Sequence, residues 1–190
     1  FTASAEMLLP GEALDAVAFS CTSASVLIGD DKVAEAIGAA KPGAAIVTPP
    51  LAAVEGLRTL GAKRISLLTP YSFEVSRPMA AYFGGHGFNV DRLAALDIQS
   101  DTEMAELSPD SIVDAAIEAV SPEADALFIS CTALRSVSVV ERIEERIGRP
   151  VVTSNQAAVW RCLAACGARP GTYAPGRLFA QRPINLCSAA

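Results

Sequence analysis

Two of the five cysteines stand in the same short phrase of sequence. Cys21 lies in a Ser-Cys-Thr triplet after the apolar run 16–19, and Cys131 lies in a second Ser-Cys-Thr triplet after the run 126–129. A thiolate removes a proton or attacks carbon, and a thiol delivers a proton. Two thiols on opposite faces of one small molecule can therefore exchange a proton at a single carbon.

A second route is open to the same pair. A thiolate can add to an activated double bond, allow rotation about the new single bond and leave again. Neither route needs a metal or an organic cofactor, and we expect none. The competing interpretation is that both cysteines are small buried core residues. Repetition of the triplet favours the catalytic interpretation.

The apolar runs before the triplets are short and rich in β-branched and aromatic residues, which is typical of buried parallel strands. The polar residues after them suit a strand-to-helix turn. Each cysteine would then lie at the carboxyl end of a strand and directly before a helix, where amide N–H groups and the helix dipole favour negative charge. The groups that would bind a substrate carboxylate there are Thr22, Ser23, Thr132 and Arg135.

The duplication extends to a second pair of segments, 46–54 and 151–159. Repeated strand and helix patterns predict an α/β fold of two pseudo-symmetric, Rossmann-like halves with parallel sheets and the site between them. We expect residues 1–61 plus 155–190 to form the first lobe and 62–154 the second. The elements ahead of Cys131 have no counterpart ahead of Cys21, so we also expect a strand and a helix of the first lobe to be missing.

Apolar spacing predicts the main helices over 22–40, 51–60, 73–83 and 137–147, and Ser108 is predicted to cap another helix. Cys162 and Cys166 lie one turn apart on an apolar helix, where buried thiols are expected. The tail from Arg169 is rich in Pro and Gly, and its sequence pattern does not assign a fold to it.

Composition excludes several classes of protein. The net charge is −6 without a run of basic residues, which argues against nucleic acid binding. No apolar stretch reaches the roughly 18 residues of a membrane span, so we expect a cytoplasmic protein. A single histidine, His86, and no Cys-x-x-Cys pair argue against zinc, and an odd number of cysteines argues against a disulfide framework. Apolar helices with few charges are compatible with a homo-oligomer.

Four motifs carry a family resemblance: 20–25, 68–71, 130–136 and 152–156. Together and in this order they resemble the aspartate/glutamate racemase superfamily, and within it most closely the maleate cis-trans isomerase and ectoine-utilisation branch. The resemblance implies a cofactor-independent isomerase or racemase of a small carboxylate. Cys21 would be the nucleophile and Cys131 the acid/base group.

The resemblance also implies substrate-binding residues. The carboxylates would be held by Thr22, Ser23, Thr132 and Ala133, and the Tyr71 hydroxyl would contact the substrate. The isomerases carry an asparagine in a later loop, where this chain has Ser100 and Asp101 instead. An acid there would repel a second carboxylate and suit an amino group, although Asp101 is also a candidate cap for a short helix at 102–107. Asn155 is interpreted mainly as a helix cap, with direct substrate contact as the alternative.

Two other functions compete with the isomerase. In a decarboxylase or lyase, a single thiol would protonate an enolate-like intermediate; arylmalonate-type decarboxylases keep only the second cysteine, so Cys21 argues against that branch. Glutamate racemases have a histidine where this chain has Ala133. The third hypothesis is a non-catalytic protein that binds a carboxylate in the same pocket.

Overall fold

The computed structural model describes residues 1–182 as short parallel strands alternating with helices. The strands are β1 Ala16–Ala18, β2 Ala45–Val47, β3 Arg64–Thr69, β4 Asn89–Ala95, β5 Ala126–Ile129 and β6 Val151–Thr153. The α-helices are α1 Thr2–Glu6, α2 Thr22–Ile28, α3 Asp30–Gly38, α4 Pro49–Thr59, α5 Phe73–Gly85, α6 Asp101–Glu106, α7 Pro109–Ala119, α8 Val140–Ile147 and α9 Ser154–Ala165. One 3-10 helix, Ser136–Val139, leads into α8.

The strands form two parallel sheets. β1 pairs with β2, and the second sheet has the order β4-β3-β5-β6. Parallel strands direct their carboxyl ends to one edge of a sheet, which is where sites form in such folds. The predicted α/β class with parallel sheets is confirmed. The division of the chain into the two lobes given above stays a prediction.

The core explains why these segments became strands. All four residues of β5 are buried, as are five of the six residues of β3, because helices cover both faces of the sheet. The large buried side chains include Phe83, Phe128 and Trp160. A smaller buried cluster includes Val17 of β1 and Val33 of α3. Within residues 1–182, no helix is both long enough and apolar enough to cross a membrane.

Two helix predictions were wrong in detail. The single helix over 22–40 is two helices, since Gly29 interrupts it with φ +94°, a conformation that glycine adopts without steric cost. The helix predicted over 137–147 begins with a 3-10 turn at Ser136. As predicted, Ser108 caps α7, because its hydroxyl accepts a hydrogen bond of 3.1 Å from the Ser111 N–H.

Residues 169–182 of the tail form no helix or strand, but they are anchored to the helices. Leu178 is fully buried and packs against α4. The Trp160 indole donates to the Gln181 carbonyl at 3.1 Å, and the Gln156 amide donates to the Pro175 carbonyl at 2.7 Å. The buried Glu144 carboxylate accepts the Arg177 N–H at 3.1 Å. These contacts hold the tail across α8 and α9.

Gly176 is the position in this tail where a side chain is least tolerable. Its φ is +83°, and an added Cβ would lie 2.4 Å from Val140 Cγ1. We expect Gly176→Ala to lower the free energy of unfolding by about 3 kcal/mol, from the backbone conformation plus overpacking against a buried side chain. Urea denaturation measures it. Gly11→Ala is the control, because Gly11 has the same φ with no atom near the added Cβ, and it should cost only about 1 kcal/mol.

The Asp125 carboxylate connects the starts of β3 and β5 through hydrogen bonds, and the stability that these bonds provide depends on pH. It accepts the Arg64 N–H at 2.7 Å and the Lys63 N–H at 2.9 Å, and these bonds hold the pKa of Asp125 below its ordinary value. A lowered folded-state pKa gives a stabilisation that is complete above the unfolded value of about 3.9 and is lost as pH falls through the folded value.

We therefore expect Asp125→Ala to cost about 1 kcal/mol at pH 7, a modest amount because the carboxylate is exposed. The difference from the parent protein should shrink below about pH 4. Urea titrations at a series of pH values measure it. Asp114→Ala, on the exposed side of α7, is the matched control for removal of an exposed carboxylate.

Candidate functional site

Cys21 lies where β1 leads into α2. It is the N-cap residue of α2 and is half-buried. Its backbone is held by Ser25, whose hydroxyl donates to the Cys21 carbonyl at 2.7 Å, and its sulfur lies 3.8 Å from the Ser23 hydroxyl. The predicted placement of this thiol, at a strand end and directly before a helix, agrees with the structure.

Cys131 lies two residues beyond β5 and is buried, with 4% of its surface exposed. Its φ is +89°, a left-handed conformation that residues other than glycine rarely adopt and that costs about 1–3 kcal/mol. The prediction that a helix follows directly was wrong, since bends occupy the residues up to the 3-10 helix at Ser136. The strained backbone therefore sets the direction of this thiol.

Hydrogen bonds join the two cysteine loops. The Thr132 hydroxyl donates to the Ser20 carbonyl at 3.0 Å, and Asn155 Nδ2 donates to the Thr132 carbonyl at 3.0 Å. The Thr22 hydroxyl donates to Ser154 Oγ at 2.8 Å, and both side chains are buried. The loops that carry Cys21 and Cys131 thus lie side by side at the strand ends.

Tyr71 is buried beside the Cys131 loop. It follows β3, is 8% exposed, and its hydroxyl oxygen accepts a hydrogen bond of 3.4 Å from the Ser130 hydroxyl. Burial raises the pKa of Tyr71 most, and the negative charges of Cys131 and Cys21 thiolates raise it further. The phenol stays protonated at neutral pH and can donate a hydrogen bond to an anion.

Several predicted binding residues have other roles. The hydroxyls of Thr22 and Thr132 are used in the contacts between loops, so what they can offer a ligand is their backbone N–H groups. Ser23 and Ala133 are half-buried beside the cysteines. Of the two serines that precede the cysteines, Ser20 is exposed, whereas Ser130 is fully buried.

The loop that replaces the family asparagine reaches the site through a different residue. Ser100, not Asp101, caps α6, because its hydroxyl accepts the Glu103 N–H at 3.2 Å, and Asp101 is exposed. Met104 is the residue of this helix that contacts the site, with its sulfur 3.8 Å from Cys131 Sγ. The sequence signal for this contact was the one large apolar side chain of α6, Met104, and the prediction missed it.

The cap at the start of α9 was assigned to the wrong residue. Thr153 is the N-cap and forms a capping box with Gln156, in which Gln156 N donates to the Thr153 hydroxyl at 3.2 Å. The Thr-x-x-Gln spacing is a readable signal for this motif. Ser154 and Asn155 are thereby free to reach the cysteine loops.

Cys162 and Cys166 lie at the C-terminal end of α9, away from its first turn. Cys162 is half-buried and Cys166 is exposed, so the prediction that both are buried was wrong for Cys166. Cys187 lies outside the described residues. Within 1–182, no group of three or more His, Cys, Asp or Glu side chains could hold a metal ion. His86 packs its ring against Tyr82, with centroids 4.5 Å apart.

The chain has clear relatives. A family model described as arylmalonate decarboxylase matches residues 2–179. An arylmalonate decarboxylase from Bordetella bronchiseptica is 32% identical over 134 residues, which are 67% of this chain and 55% of that protein. A maleate isomerase from Nocardia farcinica is 33% identical over 131 residues, 68% of this chain and 52% of that protein. The chain spans about half the length of the curated relatives it matches.

Two solved structures of proteins with these names are also similar to this chain. A cysteine-to-serine mutant of the Nocardia farcinica maleate cis-trans isomerase, with a covalently bound succinylcysteine intermediate, is similar with a TM-score of 0.80 at 27% identity. The match covers 88% of this chain and 71% of that chain. A double mutant of arylmalonate decarboxylase in its liganded form has a TM-score of 0.80 at 29% identity, covering 87% of this chain and 72% of that chain.

Proposed function

Because the chain belongs to the arylmalonate decarboxylase family, and matches maleate isomerases as well as a decarboxylase, we propose that it is a cofactor-independent isomerase or racemase of a small carboxylate. Cys21 and Cys131 are the paired catalytic groups. The observation that carries this proposal is that the loops holding the two thiols are bonded to each other, through the Thr132 hydroxyl and the Ser20 carbonyl, beside the buried Tyr71 hydroxyl that Ser130 contacts.

The pair supports proton exchange at one carbon. One sulfur, as thiolate, takes the proton α to the carboxylate, and the electron pair of the broken C–H bond moves into an enolate-like system. The other sulfur, as thiol, delivers its proton to the opposite face and becomes the thiolate. The two groups have then exchanged protonation states, and the carbon has inverted.

The pair equally supports cis-trans isomerisation. The Cys21 thiolate adds to one carbon of an activated double bond, the π electrons take the proton of the Cys131 thiol at the other carbon, and a single bond remains about which the intermediate rotates. The Cys131 thiolate then removes a proton from that carbon, and expulsion of the Cys21 thiolate restores the double bond in the other geometry. The succinylcysteine intermediate of the Nocardia isomerase supports this covalent route.

Substrate binding in this proposal uses the protonated Tyr71 phenol and the backbone N–H groups after each cysteine. A phenol with a raised pKa donates a hydrogen bond to a carboxylate without losing its proton. Ser23 adds a hydroxyl beside Cys21. Ser100 and Asp101 lie at the start of α6, and an acidic side chain there would favour a substrate with an amino group over one with a second carboxylate.

Decarboxylation is the second candidate, because the family description and the Bordetella relative both support it. Here a malonate-type acid would lose carbon dioxide, the electrons of the broken C–C bond would form an enediolate, and the Cys131 thiol would protonate it. This reaction needs one thiol only. Cys21 therefore favours the isomerase.

The experiment that tests the proposal is proton NMR of candidate acids incubated with the protein in deuterium oxide. Maleate, aspartate and diaminobutyrate derivatives test isomerisation and racemisation, and an arylmalonate tests decarboxylation. Incorporation of deuterium with unchanged substrate connectivity, or conversion of a cis to a trans double bond, supports the isomerase, and release of carbon dioxide supports the decarboxylase. Saturable binding of an acid without deuterium incorporation, change of double-bond geometry or release of carbon dioxide would overturn both and identify a binding protein. Self-association and a cytoplasmic location stay predictions from composition.

A further inference from the structure

Two adjacent side chains at the start of α9 reach two different cysteine loops. Ser154 Oγ accepts the hydrogen bond of the Thr22 hydroxyl at 2.8 Å, and Asn155 Nδ2 donates to the Thr132 carbonyl at 3.0 Å. Thr22 directly follows Cys21, and Thr132 directly follows Cys131. One dipeptide therefore holds the residue after each thiol.

The first turn of α9 is well suited to serve as a fixed support. Its capping box occupies Thr153 and Gln156, and Gln156 also donates to the Pro175 carbonyl of the anchored tail. Ser154 and Thr22 are buried, so loss of their bond would leave a polar group without a partner. The bond from Thr132 to the Ser20 carbonyl closes a ring of contacts through both loops.

We propose that Ser154 and Asn155 are positioning residues that fix the distance between the two thiols, Ser154 through the Cys21 loop and Asn155 through the Cys131 loop. The inference rests on the proposed function, in which both sulfurs serve one cavity. It adds that the distance between the two sulfurs is set by α9, a helix that carries neither cysteine. Neither side chain needs to touch the substrate for this role.

Thiol bridging tests this geometry without any substrate. In a parent protein with Cys162, Cys166 and Cys187 changed to serine, dibromobimane can react at both remaining thiols. Each thiolate forms a C–S bond and displaces one bromide. The bridged fraction is read by mass spectrometry, and iodoacetamide alkylation of each cysteine is followed in parallel.

We expect Ser154→Ala and Asn155→Ala each to lower the rate of bridging about fivefold, the effect of losing one hydrogen bond. The rate of iodoacetamide alkylation should change at Cys21 in Ser154→Ala and at Cys131 in Asn155→Ala. A general loss of stability would instead change both cysteines together. The controls are Ser66→Ala, a buried serine that accepts the Ser121 N–H at 2.9 Å on β3, and Asn89→Ala at the opposite strand ends.

The outcomes separate the inference from the proposed function. Failure of the parent to bridge would overturn the shared cavity and the inference with it, whereas normal bridging in both variants would overturn the inference alone. If Ser154→Ala does not fold, Thr22→Val with Ser154→Ala removes both hydroxyls and leaves no unpaired group, so it tests the same bond. A change confined to the expected cysteine in each variant supports the inference.

Discussion

Replacing Cys131 by alanine is expected to reduce turnover about 1,000-fold on any substrate that the protein accepts. In every reaction considered for this site the Cys131 sulfur gives or takes the proton at the reacting carbon, and loss of a positioned acid or base costs about 10²–10⁴ in rate. The measurement is initial rate by NMR under saturating substrate. Cys162→Ala is the control, because Cys162 lies on α9 outside the site and should retain full activity.

The matching substitution of Cys21 distinguishes the two candidate reactions. An isomerase or racemase needs both sulfurs, so Cys21→Ala should lose a similar factor of about 1,000. A decarboxylase that protonates its intermediate from one side should keep turnover within about tenfold of the parent. Full turnover in both cysteine variants would contradict the proposed function in either form.

Replacing Tyr71 by phenylalanine is expected to lower kcat/KM about 100-fold, since a preorganised donor to a developing anion is worth about 10²–10³ in rate. The Ser130 hydroxyl, which donates to the Tyr71 oxygen, would also lose its partner in a buried position and lower stability by about 1 kcal/mol. Steady-state kinetics and urea denaturation measure the two effects separately.

Tyr82→Phe is the matched control for that substitution. Tyr82, on α5, is a half-buried tyrosine whose hydroxyl is likewise hydrogen-bonded, donating to the Asp30 carboxylate at 2.6 Å. It should lose a comparable amount of stability and keep its turnover. Equal loss of turnover in both variants would mean that Tyr71 acts only through folding.

The placement of the thiols could be predicted from sequence because it depends on local patterns that occur twice. An apolar run followed by Ser-Cys-Thr predicts a strand end. Two such runs in an alternating α/β chain predict parallel sheets with each cysteine at the carboxyl end of its strand. The helix start at Ser108 followed from the same kind of local rule.

What could not be predicted depends on contacts between distant segments. The bond between Thr22 and Ser154 joins residues far apart in sequence, and so does the approach of Met104 to Cys131. The break at Gly29 had a local signal, since glycine is a poor helix former, but the apolar spacing on both sides outweighed it. The cap at Thr153 was readable and was overlooked in favour of its neighbours.

The left-handed backbone conformation of Cys131 lowers the stability of the fold at the same position where the thiol serves the proposed reaction. Glycine would adopt φ +89° without strain, so a chain selected only for heat tolerance should drift toward glycine there and lose its sulfur. A thiol at this strained position supports the catalytic role proposed for Cys131. Laboratory evolution for thermal resistance should therefore hold this codon fixed and look for gains elsewhere.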